Sequence, residues 1–483
     1  MRRCYSGSLH EIARANHYLG EFRVSHVNNS SPELLKSDQL NRSDGAPPDH
    51  LRPAIGAQRD KLATLLSIDA PEMPANSSRS DKQLIDSFDL RALDTDFYAD
   101  PYRTFRALRE RSPVHRCPDG TVFLTRHRDL VRVYRDPKTF SSAKQAQFKP
   151  LFGDGPLYEH HTTSLVFNDP PLHTSVRKAI GDALAPRVIA NMEQDLIVLV
   201  DRLIEDLQGK SHFDLMDDFA SVIPIEVIGN LLNIDHSDRA PLRAWSAAIL
   251  GALEFGLDEH RRHEGNAAVD EFVEFLRTLI NARRSTLGGD DIITRLIRWE
   301  SNEFKLSEKQ IYHQCIFLLN AGHETTTNLI GNAVHALLAD PAAHRQLCDN
   351  LDLIDLAVEE FLRFDPPVQL GNRITTTDVE FDNIPIAAGT TLTLCIGAAN
   401  RDPEVFTAPD TLDISRIVNP QLAFAGGIHA CAGMAVARLE ARVALEKLLK
   451  NFPDLARDGP GVRAQRARFR GFISLPMCLK NRR

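Results

Sequence analysis

Read as a pattern of apolar and polar positions, the chain changes character near residue 86. Before it, residues 45–56 (GAPPDHLRPAIG) and 71–80 (PEMPANSSRS) are turn- and linker-like, and 61–68 has a short helical pattern without a partner. Residues 1–85 are therefore expected to be a disordered extension, with Met73 as the natural start. Beyond it, Tyr102, Phe105 and Leu108 recur at helical spacing behind Pro101, which predicts an amphipathic helix over 101–111. Further helices are predicted over 191–207, 240–253 and 267–282, and short strands over 121–125, 390–396 and 472–475. The longest periodic segment opens on Ser307 and Gln310, a Ser-x-x-Gln capping box, and ends before Asp340 and Pro341. Some 31 residues at 1.5 Å each make it roughly 45 Å long, enough to cross a whole domain. Its stretch 315–319 (CIFLL) is apolar on every side, so the helix is expected to lie buried at the centre. The pattern predicts one α+β domain, mostly α with small sheets, over 86–483.

Composition narrows the function. With 43% hydrophobic and 25% charged residues, the 483-residue chain is neither collagen-like nor a coiled coil. Lys plus Arg is 57 against 65 for Asp plus Glu, a net charge of -8 that argues against nucleic acid as partner. Seven cysteines without a CxxC pair are no disulfide framework and suggest a reducing compartment, with one cysteine set aside for a task. No long apolar run is present for a membrane anchor, and the first residues lack a secretory apolar core. Acidic residues throughout 1–85 argue against an organellar transit peptide, so a cytoplasmic protein is expected.

Two segments carry candidate chemistry. Within the long helix, 321–326 (AGHETT) sets a glycine, a carboxylate and two threonines where local propensity opposes them. It reads either as a helix irregularity with Glu324 paired to a neighbour, or as a groove at Gly322 against a cofactor with Glu324 and Thr325 moving protons. The zinc-protease pattern HExxH is excluded by Thr327. The second segment, 424–433 (FAGGIHACAG), places Cys431 in a glycine loop just ahead of a helical run, where the helix dipole favours a thiolate. A cysteine hydrolase would use the same features.

The segment 424–433 matches position for position the F-x-x-G-x-H-x-C-x-G signature of cytochromes P450. In the family's order, 321–326 resembles its oxygen-activating helix motif, Glu360 and Arg363 its E-x-x-R pair, and 400–403 (NRDP) with 412–416 (LDISR) its meander. His173 and Arg177 resemble the H-x-x-x-R of bacterial members. The resemblance covers about 86–483. It implies a cytochrome P450 fold with a long central helix, and haem b (iron protoporphyrin IX) with Cys431 as axial ligand of the iron. It further implies His173, Arg177, Arg373 and His429 as propionate contacts, and Glu324 with Thr325 as an acid–alcohol pair delivering protons. Glu360, Arg363 and Arg416 are implied to form a structural network. The implied activity is monooxygenation, inserting one atom of O2 into a hydrophobic small molecule drawn into a pocket from 141–167, 248–256, 368–370 and 472–473. Electrons would come from a ferredoxin-type donor with an NAD(P)H reductase, docking near Arg177, Lys178, Arg438 and Arg442. A peroxide-driven peroxygenase and a non-catalytic haem sensor are the alternatives; product formation with NAD(P)H and a redox system separates them.

Overall fold

The capping box at Ser307 forms as expected: Ser307 Oγ accepts from the Gln310 N–H at 3.2 Å, and the Gln310 side chain accepts from the Ser307 N–H at 2.8 Å. It opens a helix over Glu308–Ala339, which Asp340 ends while capping the next helix, Pro341–Asp349. In the computed structural model, which describes residues 79–286, 291–298 and 306–479, this central helix runs between two apolar clusters. Leu329, Ile330 and Val334 pack with Met216, Phe219 and Leu445 in one. Ile311, Ile316 and Leu319 pack with Phe272 and Leu276 in the other. Burial on opposite faces is what the all-round apolar stretch demanded.

Around it lie helices at Tyr102–Arg111, Leu172–Ala183, Pro186–Gln208, Leu242–Gly251 and Glu259–Thr286. The last extends well past the predicted 267–282, because its first turns (EHRRHEG) are polar and carry no apolar periodicity. The largest sheet contains β1 (Val114–Arg116), β2 (Val122–Leu124), β3 (Phe140–Ser141), β4 (Leu370–Thr375) and β5 (Thr391–Cys395). Its order is β1-β2-β5-β4-β3, with β2 and β5 parallel (Val122 opposite Leu392) and the other pairs antiparallel. A three-stranded sheet and two strand pairs complete the β structure among the described residues.

The described residues form one compact unit. The expectation of disorder is corrected over its last residues. Asp81–Asp86 is a helix with a full capping box from Ser80 and Gln83, its Leu84 is buried, and Asp81 pairs with Arg111 at 3.2 Å. The box was hidden in a stretch that reads as linker. Residues 1–78, with the start expected at Met73, lie outside the described residues.

The E-x-x-R pair lies on helix Ile354–Phe364, both residues at 0% exposure. Arg363 Nε and Nη2 donate to Glu360 Oε2 and Oε1 at 2.8 and 2.7 Å, and Arg416 Nε donates to Oε2 at 3.0 Å. The Asp413 N–H also reaches Glu360 at 2.8 Å, and Arg363 donates to the carbonyls of Asn400, Pro409 and Thr411. This network fixes the chain that leads into the cysteine loop.

Candidate functional site

The loop 424–433 is pinned where the Cys431 N–H donates to the Phe424 carbonyl at 2.9 Å. Gly427 has φ of +65°, and a Cβ there would lie 1.9 Å from the Tyr134 carbonyl oxygen. Both the conformation and the close approach require glycine. Helix Met434–Asn451 starts directly after the loop, and the Gly433 N–H bonds the Cys431 sulfur. Burial nevertheless pushes the Cys431 thiol up, against the expectation that the helix start alone would favour a thiolate. A metal cation bound at the sulfur would supply the missing charge. Ala432, next to it, packs against the cluster that holds the first half of the central helix.

The central helix runs unbroken through Gly322, so no helix break makes the expected groove. Ala321 is exposed and Gly322, Glu324 and Thr325 are half-buried, whereas residues 326–334 beyond them are buried. Thr325 Oγ1 donates to the Ala321 carbonyl at 2.7 Å. Glu324 does have a charged neighbour: Arg466 pairs with Oε1, while Oε2 is buried without a partner. Burial raises the Glu324 pKa, making it a weaker acid, and the Arg466 guanidinium opposes that shift.

The four residues expected at the propionates come together. The rings of His173 and His429 lie 4.1 Å apart, and Arg177 and Arg373 both bear electrostatically on them. His173 sits on helix Leu172–Ala183 and Arg373 on β4, where it stacks 5.6 Å from Tyr134. The ring nitrogens of His173 and Nε2 of His429 pair with no side chain. Burial first, then the neighbouring cations, push His429 down to about 2, and burial lowers Arg373. A buried cation cluster whose one nearby acid is Asp169 is unstable unless an anion enters it. Haem would bring two carboxylates to this cluster, so the residues present fit it.

Other functional positions escaped the sequence reading. Residues 463–470 (VRAQRARFR from 462) look like a basic surface run, yet each arginine is spent inside. Arg463 and Arg470 hold the buried Asp365 at 3.1 and 2.8 Å, and Arg470 also donates to the carbonyls of Tyr98 and Ala99. Arg466 reaches Glu324 and the Ala247 carbonyl; Arg468 reaches the carbonyls of Leu253 and Leu370. Glu254, the sole charge in 248–256, accepts the N–H groups of Ala467, Arg468 and Phe469 at 3.1–3.2 Å, which keeps that segment apolar toward the interior. The implied docking surface narrows: Arg438 pairs with Glu359 and Arg442 with Glu193, and of the four residues only Lys178 is fully exposed.

A mostly helical fold that sets a cysteine loop beside a cation cluster, around a long central helix carrying Glu324 and Thr325, belongs to the haem-thiolate class of oxygenases. The comparisons agree. A family model described as Cytochrome P450 matches residues 250–459. The biotin biosynthesis cytochrome P450 of Bacillus subtilis (strain 168) is 33% identical over 368 residues, 75% of this chain and 91% of its own. The cytochrome P450 monooxygenase PikC of Streptomyces venezuelae is 36% identical over 400 residues, 80% of this chain and 93% of its own. The solved structure of P450BioI in complex with hexadec-9Z-enoic acid ligated acyl carrier protein matches with TM-score 0.75 at 30% identity, covering 80% of this chain and all of that one. The chain belongs to the cytochrome P450 family, of the bacterial type. It is a haem b monooxygenase that inserts one oxygen atom of O2 into a small-molecule substrate. Among the described residues no helix is long and apolar enough to cross a membrane.

Proposed function

We propose that Cys431 holds the haem iron, that His173, Arg177, Arg373 and His429 hold the propionates, and that Glu324 and Thr325 carry protons to the reacting oxygen in the hydroxylation of a hydrophobic small molecule. The observation that carries this is the buried, anion-poor cation cluster built from the residues that flank the cysteine loop. When bound, the haem supplies the activation of O2 and its transfer to substrate. The protein's own groups do the rest. Gly433 N–H tunes the sulfur. Arg466 holds Glu324 Oε1, so Oε2 is the atom that takes a proton and passes it toward Thr325 Oγ1. Thr325, tied to the Ala321 carbonyl, keeps an oxygen lone pair to receive it. The apolar segments around the central helix exclude water and seat the substrate.

Electrons come from a ferredoxin-type donor with its NAD(P)H reductase, and the compartment is the cytoplasm, a reading supported by six described cysteines that are all free. The folded haem domain extends over 86–483 with the preceding helix at Asp81–Asp86 as part of it. The test is the reduced carbon-monoxide spectrum. Wild type should give the thiolate-type Soret band and Cys431→Ser should lose it; a band unchanged in Cys431→Ser would sink the assignment.

A further inference from the structure

Lys144 is out of place for a lysine. It is 2% exposed, its Nζ has no hydrogen-bond partner, and it stands at the N-cap position of helix Gln145–Phe152 without a side-chain capping bond. Lysine is almost never so buried unless it is paired. The charged groups that bear on it are Arg373 from β4, Arg468 from the C-terminal loop, and Asp169. Two of the three repel it. Without a further partner, burial and those arginines push Lys144 down to about 7.

A charge count identifies what is missing. Arg468 is answered by Glu254. Asp169, which accepts from the Ser141 hydroxyl and from the Ser142 N–H at 2.9 Å, bears on Lys144, His173 and Arg373 alike. The cations gathered here are Arg177, Arg373 and Lys144, and Asp169 is the carboxylate that bears on Arg373 and Lys144. Two positive charges are left over, and haem carries two propionates. Without Lys144, the second propionate would meet a cluster already neutral.

We infer that Lys144 is a further haem anchor, its ammonium donating to a propionate carboxylate and completing the set formed with Arg177 and Arg373. The inference rests on the haem site proposed above. It ties the segment between β3 and helix Gln145–Phe152, part of the expected pocket wall, to the cofactor itself. Seating the haem and ordering that wall then become one event. A carboxylate on the substrate is the rival source of the same chemistry, but it would be a third anion against two spare cations.

The experiment follows transfer of ferric haem from the holoprotein to excess apomyoglobin in wild type, Lys144→Met, Lys144→Arg and Arg373→Met. It uses native haem and haem dimethyl ester, whose propionates carry no charge. A charge-assisted bond of this kind predicts release about tenfold or more faster in Lys144→Met and near wild type in Lys144→Arg. With the dimethyl ester, wild type and Lys144→Met should release at equal rates. Unchanged native-haem release in Lys144→Met beside faster release in Arg373→Met overturns the Lys144 inference and leaves the propionate site standing. Unchanged release in both overturns both. If Lys144→Met instead weakens the spin shift induced by long-chain fatty acids but not by their methyl esters, with haem release unaltered, the carboxylate belongs to substrate and the inference fails.

Discussion

Replacing Gly427 by alanine isolates one contact of the cysteine loop. The new Cβ would lie 1.9 Å from the Tyr134 carbonyl oxygen and 3.0 Å from its carbon. Real Cβ contacts stay beyond 3.0 Å, so loop or partner must move by 3.0 - 1.9 = 1.1 Å or more. The partner is backbone of helix His127–Arg135, beside the main sheet, and cannot swing away as a side chain would. The loop must therefore move, and Cys431, four residues on and pinned to Phe424, moves with it. A left-handed alanine costs about 1–2 kcal/mol, and forcing excess volume into a packed site about 1–3 kcal/mol more. Gly153→Ala is the control: φ is +64° there too, but nothing lies within 4 Å of its Cβ, so only a conformational cost applies. The assay is thiolate-ligated haem per folded chain, read from the reduced carbon-monoxide spectrum, with urea unfolding alongside. Gly427→Ala should lose most of the thiolate-type band, while Gly153→Ala keeps it. Equal, intact bands in the two variants would refute the reasoning, because they would show that the Tyr134 approach does not position Cys431.

Further outcomes follow from the same geometry. Thr325→Ala should uncouple turnover, with product per NAD(P)H down about tenfold or more and peroxide up; normal coupling removes Thr325 from proton delivery. Glu360→Ala leaves two buried guanidinium groups without their carboxylate and should destabilise by about 3–5 kcal/mol in denaturant unfolding, a loss under about 1 kcal/mol counting against the network. Glu440, buried on helix Met434–Asn451 and bonded by Thr326, is raised by burial from 4.5 to about 8. The folded protein thus keeps a proton that the unfolded chain gives up, so this group makes stability fall as pH rises from about 4.5 to about 8. Glu440→Gln should flatten that fall, measured as the difference in urea midpoint between pH 5 and pH 8; an identical slope in wild type and variant contradicts the buried neutral acid.

What was legible in the sequence is what local chain geometry determines. The capping box at Ser307 and Gln310, the glycine loop around Cys431 and the spacing of Glu360 to Arg363 each lie within a few residues, and each appears as expected. Lys144, in the polar run SSAKQAQFK, has no local mark at all; the charges that bear on it, Arg373 and Arg468, come from hundreds of residues away. Arg466 and Glu324 are likewise 142 positions apart, and the alternation of arginines through 463–470 is how an exposed basic strand also looks. The Asp81–Asp86 helix was missed for the opposite reason: its cap is local, but its Leu84 matters only once helix Tyr102–Arg111 is in place. The irregularity or groove expected at Gly322 does not interrupt the helix, because a single glycine costs a helix only about 1 kcal/mol and the packing on both sides holds it.

The arginines at 463–470 also order events in time. During synthesis the ribosome delivers them after every partner they serve, from Tyr98 and Ala99 through Ala247, Glu324 and Asn332 to Asp365. Until that stretch emerges, Glu324 lacks its Arg466 partner, and Asp365 lacks Arg463 and Arg470 and keeps only Tyr102 and the more remote Arg401. The nascent chain therefore cannot finish its interior from the N-terminal side, however well its helices pair beforehand. A chain stopped before Val462 would lack those cations, and burying its carboxylates unanswered would oppose closure of the interior.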